Sequence, residues 1–215
     1  MNGKVSDGLT LTNYTAWVYI IGFNHNAERE GNGIAFQGFK VTDKGTDVCL
    51  VDSGYNSNKT SGTWFNMNNS ATNGGWSLCN MRNNIMPLVK AAFPSDLQAV
   101  IKPSTIYTDN TGGGTADVVP TATQDEVFLL AEYEVFGKRA YASTQEPNYL
   151  KQYSYYSAGN SKVKYMHNST GSAANWWPRS PKAGSSFYFC IIYNNGTVND
   201  SRASTSYGVS PCFKV

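Results

Sequence analysis

Asn175-Trp176-Trp177-Pro178-Arg179-Ser180-Pro181 opens a stretch that ends Gly208-Val209-Ser210-Pro211-Cys212-Phe213-Lys214-Val215. Two adjacent indoles, two prolines and a guanidinium make the opening rigid and bulky. The end is a glycine turn followed by an apolar tail. Between them the aromatic run Ser186-Phe187-Tyr188-Phe189-Cys190-Ile191-Ile192-Tyr193 meets the polar run Thr197-Val198-Asn199-Asp200-Ser201-Arg202 across Asn195-Gly196. Asn-Gly flanked by β-rich runs is a strong short-range hairpin signal, so two antiparallel strands are expected here. Trp176 and Trp177 are expected to seed the core, with Arg179 tying loops through its fixed fork of donors. A Trp pair that stacks a sugar beside an Arg that holds a carboxylate is the weaker alternative.

The middle of this stretch is rich in Tyr, Ser, Asn, Thr and Gly, the palette of an adaptable recognition surface. Residues 183–212 also contain no Lys, Glu, Gln, Trp or Met. These are the types that a codon ending in cytosine cannot encode. Randomising the two adenines of AAC yields Asn, Tyr, Ser, Thr, Ile, Phe, Asp, Arg, Ala, Val and Gly, among others, and no stop codon.

Trp176-Trp177-x-Arg179-Ser180-Pro181, Phe189-Cys190 and Gly208-Val209-x-Pro211-x-Phe213 resemble the variable proteins of diversity-generating retroelements. They also resemble phage and bacterial surface proteins with the same ending. Stretches 22–26, 65–68, 74–76, 81–83, 125–137 and 153–162 look like the same scaffold, so the resemblance spans nearly the whole chain. It implies an α+β, C-type lectin-like fold of the formylglycine-generating-enzyme type. Antiparallel strands, few helices and much irregular structure go with that fold. It further implies one domain over residues 1–215, with 175–215 as a variable ligand-binding segment on a scaffold of 1–174. Where many members have Arg or Ala before the last proline, this chain has Ser210, a departure that suits a diversified position.

The expected ligand-binding residues are Ser186, Phe187, Tyr188, Ile191, Tyr193, Asn195, Asn199, Asp200, Arg202, Thr205 and Tyr207. Phe187, Tyr188, Tyr193 and Tyr207 are the expected anchors, and Asp200 and Arg202 set polarity. Tyr188, Tyr193, Asp200, Arg202 and Tyr207 are expected to share one exposed face. Trp176, Phe189, Cys190, Val198, Ala203, Val209 and Phe213 are expected to pack inward, because a position that must accept Asp or Arg cannot be buried.

A net charge of +2 over 215 residues, with 15% charged, offers no electrostatic reason to expect nucleic acid or a membrane surface. No apolar run approaches the roughly 20 residues that span a bilayer, and Met1-Asn2-Gly3-Lys4-Val5-Ser6-Asp7 has no signal-peptide core. Cys49, Cys79, Cys190 and Cys212 have no metal-ligand spacing and are expected as buried free thiols, with a Cys190–Cys212 bridge as the alternative. Formylglycine-generating enzymes use two nearby cysteines, and the spacing of Cys190 and Cys212 departs from that. The expectation is therefore a non-enzymatic binding protein without metal or cofactor. Its expected target is a protein or glycan on a bacterial surface, and its expected setting a phage tail (virion) or bacterial cell-surface adhesin, multivalent as a homo-oligomer or within a tail assembly. A formylglycine-type oxidase and a structural virion subunit are the competing readings.

Upstream, residues 15–23, 34–41 and 48–52 read as strands, and 76–93 as a helix broken at Pro87. Residues 100–103 and 127–130 read as strands, and 131–137 as a helical turn ended by glycine. Residues 148–164 form an aromatic-rich insertion. Asn24-His25-Asn26 reads as a polar turn rather than a metal or acid–base cluster with Glu28 and Glu30. Asp125, Glu126, Glu132 and Glu134 are expected to pair with Arg82, Arg139 or Arg179 rather than act as paired catalytic acids. Gly112-Gly113-Gly114 lacks the Lys-Ser/Thr of a phosphate loop and reads as a flexible turn.

Overall fold

The structure is a computed structural model that describes residues 1–112 and 114–215; of the glycine triplet, Gly113 lies outside the described residues. In chain order the elements begin with strands β1 (Gly3–Ser6), β2 (Leu9–Leu11) and β3 (Trp17–Phe23). Helix α1 (Ala27–Glu30), strands β4 (Ile34–Lys40) and β5 (Val48–Cys49) and helix α2 (Gly75–Leu78) follow. A π-helical turn (Met81–Ile85) runs into α3 (Met86–Ala91), then α4 (Ser95–Val100), β6 (Ser104–Thr108) and β7 (Thr121–Asp125). Three short helices come next, α5 (Glu132–Phe136), α6 (Glu146–Tyr149) and α7 (Ser154–Ser157). The chain closes with β8 (Lys164–Met166), β9 (Ser169–Ala174), β10 (Tyr188–Ile192), β11 (Val198–Arg202) and β12 (Cys212–Lys214).

The strands form small sheets. β12 pairs with β4, which pairs with β3, both antiparallel; β8 joins β5 in parallel and β9 antiparallel; β6–β7, β10–β11 and β1–β2 are antiparallel pairs. No sheet is wide enough to organise the molecule alone. The final strand solves this by returning to pair with β4, where Phe213 stacks on Phe36 (centroids 5.4 Å apart) and meets Phe93 edge-on (5.6 Å). One continuous core results, with Trp76, Trp176, Trp177, Phe65, Phe128, Phe189 and Phe213 all buried.

Local chemistry explains the departures from the expected elements. The 76–93 segment is broken at Cys79, whose extended backbone (ψ 156°) ends α2, and not at Pro87. Pro87 sits where the π-helical turn passes into α3, and the backbone on its N-terminal side, Ile85 and Met86, stays helical. Residues 95–100, the last read as the start of a strand, form helix α4, because Pro94 and Asp96 supply a helix start that outweighs one β-branched residue at its end. Residues 127–130 are buried but form no strand among the described residues; Phe128 makes an isolated bridge to Cys212. Gly137 ends α5 at φ 65°, the left-handed geometry that glycine adopts without strain. Asn24 and Asn26 hold the left-handed backbone of the expected polar turn (φ 48° and 45°).

Candidate functional site: the C-terminal hairpin and its support

Residues 176–181 run beside the hairpin as its foundation. Trp176 and Ile192 exchange both backbone bonds (2.9 and 3.0 Å), and the Cys190 N–H donates to the Ser180 carbonyl (2.9 Å). The Trp176 indole donates to the Lys162 carbonyl (2.9 Å) and the Trp177 indole to the Phe65 carbonyl (2.9 Å). Both rings are buried with their polar edges satisfied, as the structural reading of the pair requires. Gly208 closes behind them: a Cβ there would fall 2.4 Å from the Cys49 sulfur and 2.9 Å from the Asn175 carbonyl.

Arg179 is fully buried and uses all five donors. Its Nη1 and Nη2 take the two oxygens of Glu134 (2.6 and 2.7 Å). They also reach the Leu129 and Tyr107 carbonyls (2.7 and 3.0 Å), while Nε donates to Thr108 Oγ1 (2.6 Å). Lysine could not make this bidentate pair. The Glu134 carboxylate holds the guanidinium well above its usual range against the cost of burial. The other acids also find partners: Asp125 with Arg82 (2.6 Å) and Glu126 with Lys90 (2.7 Å). Glu132 instead accepts backbone N–H groups of Ala140, Tyr141 and Ala142. Glu146, buried beside it, accepts from the Ser180 hydroxyl (2.5 Å); burial, reinforced by the nearby Glu132 carboxylate, pushes it up to about 8.

The hairpin forms as expected, with Tyr188 opposite Arg202, Cys190 opposite Asp200 and Ile191 opposite Asn199. Its turn carries Gly196 at φ 83°, and the Gly196 N–H donates to the Tyr193 carbonyl (2.8 Å). Phe187 is 55% exposed, and Asn195 and Arg202 are also exposed. Ser186, Tyr188, Tyr193, Asn199, Asp200 and Thr205 are half-buried. Of the seven expected inward residues, Trp176, Phe189, Cys190, Ala203, Val209 and Phe213 are buried and Val198 is half-buried.

Two expected surface residues are not on the surface. Ile191 is fully buried, because residues 189–192 of β10 are covered on both faces, and the hairpin reaches solvent only around Phe187 and Tyr188, along β11 and at the turn. Tyr207, 8% exposed, packs edge-on against Trp177 (5.2 Å) and Tyr55 (5.8 Å) and places its hydroxyl 3.4 Å from Ser201 Oγ. The five residues expected on one exposed face are therefore divided. Tyr188, Asp200 and Arg202 share a face by register, Tyr193 sits at the turn, and Tyr207 reaches the face of Ser201. Ser210 is buried as well and donates to the Gly38 carbonyl, which contradicts its reading as a diversified position. Residues 203–214 are buried apart from the half-buried Thr205, so the last part of the 175–215 segment packs into the core. The serines in this run turn inward because buried acceptors await them: Ser206 donates to Asp52 (2.7 Å) and Ser204 to Asn58.

Lys182 and Tyr141 join the face without having been expected there. The Lys182 ammonium pairs with Asp200 (2.8 Å) and lies 5.4 Å from the Tyr188 ring and 5.7 Å from the Tyr141 ring. Nothing in sequence spacing marks Tyr141; position next to the anchor is the only signal for Lys182. All four cysteines are free and buried, so the alternative Cys190–Cys212 bridge is absent. Burial pushes the thiols of Cys49 and Cys79 up to about 12. It raises Cys190 well above its usual range, with the Glu132 carboxylate 3.5 Å away adding to the effect. Among the described residues, no three His, Cys, Asp or Glu side chains converge to hold a metal, and no helix is long and apolar enough to cross a membrane.

The class these features define is a mixed α/β protein of small, mostly antiparallel sheets and short helices around one core, presenting a supported hairpin near its C-terminus. The chain belongs to the family described as a domain of unknown function, DUF6273, whose model matches residues 47–215. No curated protein and no solved structure matches it.

Proposed function

We propose that the protein is a non-enzymatic binding protein with a C-type lectin-like fold of the formylglycine-generating-enzyme type. Its ligand surface is the hairpin rim: Ser186, Phe187, Tyr188, Tyr193, Asn195, Asn199, Asp200, Arg202 and Thr205. Its target is a protein or glycan on a bacterial surface, and its setting a phage tail or a bacterial cell-surface assembly. Repetition within an oligomer or a tail would raise the avidity of a weak contact.

The observation that carries this reading is the division of labour along residues 176–202. Backbone hydrogen bonds stitch the anchor to β10 and the anchor's side chains are buried, while the rim formed by residues 186–188, the turn and β11 is aromatic and polar and half-buried to exposed. Such a rim tolerates change without disturbing its support. Deeply buried thiols with raised pKa values, one beside a carboxylate, are poor nucleophiles, which weighs against the oxidase alternative.

A library tests the reading directly. Phe187, Tyr188, Asn195, Asn199, Arg202 and Thr205 would be replaced together by the set reachable from AAC, then selected against an arbitrary purified protein. Folded clones with specific affinity are expected. A library that yields mostly unfolded chains, or folded chains with no binders, would overturn the proposal.

A further inference from the structure

We infer that a second binding site lies between α1 and the segment from α6 to Gln152, a cleft of about 430 Å³ that takes a carboxylate-bearing sugar. Its volume lies within the range that encloses a small ligand. Its lining includes Glu28, Arg29, Tyr133, Tyr149, Lys151 and Gln152. None of these belongs to the hairpin rim, and the inference does not depend on the binding role proposed for that rim.

The cleft is built before any ligand arrives. One wall is the turn that carries α1, the other is the segment from α6 to Gln152, and three side-chain bonds to backbone carbonyls join them. Asn26 donates to the Tyr149 carbonyl (2.9 Å), His25 Nε2 lies 2.8 Å from the Lys151 carbonyl, and Arg29 reaches the Asn148 carbonyl (3.5 Å). Beneath the turn, Glu30 holds His25, Asn26 and Lys214 together (3.1, 3.1 and 2.8 Å), and His25 stacks on Tyr153 at 3.6 Å. A wall so fixed loses little conformational entropy when it binds.

The recognition chemistry centres on Arg29. Its guanidinium lies over the Tyr149 ring at 4.5 Å and reaches toward the Tyr107 ring at 5.6 Å, and the two rings are themselves 5.9 Å apart. The Tyr149 ring and the Asn148 carbonyl orient the planar fork of an otherwise exposed Arg29, whose remaining donors can receive a carboxylate bidentately. Lys151 adds a second cation against the single carboxylate of Glu28, so the lining favours an anion. Around that centre the lining is mostly phenol, amide and carbonyl, with Pro147 and Leu150 the aliphatic members, which suits a ring bearing many hydroxyls. The Gln152 amide donates to the Val135 carbonyl (3.0 Å), which fixes that side chain of the lining.

The test is titration of the intact protein with trigalacturonate, its methyl ester and acetate, followed by calorimetry and backbone amide NMR. Saturable binding of trigalacturonate is expected, with shifts at residues 26–30 and 147–152. The ester and acetate should each bind at least about tenfold more weakly, since one lacks the charge and the other the ring. Arg29→Ala, an exposed change that leaves the Glu30 cluster intact, should weaken trigalacturonate by about tenfold or more, and Arg29→Lys should not restore it. Arg202→Ala on the hairpin rim should change nothing here. The inference is overturned if trigalacturonate shows no binding up to about 10 mM, if the ester or acetate binds equally well, or if Arg29→Ala binds like the parent.

Discussion

Single side chains settle how this protein tolerates so much buried charge. Arg179 and Glu134 sit in the core without solvent, and the pair survives there because each donor of the guanidinium has an acceptor. Glu146 solves the same problem by staying protonated. Its ordinary value is 4.5 and its folded value is about 8. Between these the folded state keeps a proton that the unfolded state has released. Stability therefore falls as pH rises through that window and levels off above about 8. Glu146→Gln removes the ionisable group, so its melting temperature relative to the parent should rise steadily from pH 5 to pH 8.5. The gain at the alkaline end should be on the order of a few kcal/mol. Parallel melting curves for the two proteins across that range would show that Glu146 is not held neutral.

Among the elements, the hairpin is the most informative because its two strands do opposite work. β10 is a core strand that carries Phe189, Cys190, Ile191 and Ile192 into the interior, whereas β11 is a surface strand. The expected alternation of inward and outward side chains holds only where one face of a sheet meets water. Here residues 176–181 and the body of the protein enclose β10, so Ile191 goes in although its partner Asn199 stays near the surface. Substitutions should sort accordingly. Phe187→Ala and Arg202→Ala should stay within about 0.5 kcal/mol of the parent by denaturant unfolding, while Tyr207→Ala and Trp176→Ala should each lose roughly 3 kcal/mol or more. Equal, small losses for all four would mean that Tyr207 is surface after all.

At the scale of the whole molecule, the C-terminal stretch is structural before it is anything else. β12 completes the β3–β4 sheet by pairing with β4, Leu50 and Val209 exchange backbone bonds (2.9 and 2.8 Å), and Cys49, Cys190 and Cys212 are all buried. Thiol titration reads out that closure. With a mild aromatic disulfide reagent the native protein should show essentially no reaction, and all four cysteines should react in denaturant. Fast reaction of one or more thiols in the native state would mean that the interior opens locally at that cysteine.

Periodicity and punctuation alone were enough for the hairpin at Asn195-Gly196, the strands later labelled β3 and β4, the left-handed turn at Asn24–Asn26, the Gly137 stop and the buried role of Trp176, Trp177 and Arg179. Each of these rests on local chemistry or on side chains too large or too polar to be placed otherwise. Burial of Ser204, Ser206, Tyr207 and Ser210 had no such local sign. A polar residue goes inside only when a partner waits there, and the partners here, Asn58, Asp52, the Trp177 ring and the Gly38 carbonyl, come from far away in the chain. The cleft at Arg29 was hidden for the same reason, since its walls are more than a hundred residues apart in sequence and meet only when Asn26 and His25 find the carbonyls of Tyr149 and Lys151. Local sequence determined the elements; which polar groups could be buried was decided by the tertiary structure, because hydrogen-bond satisfaction depends on partners that only folding brings within reach.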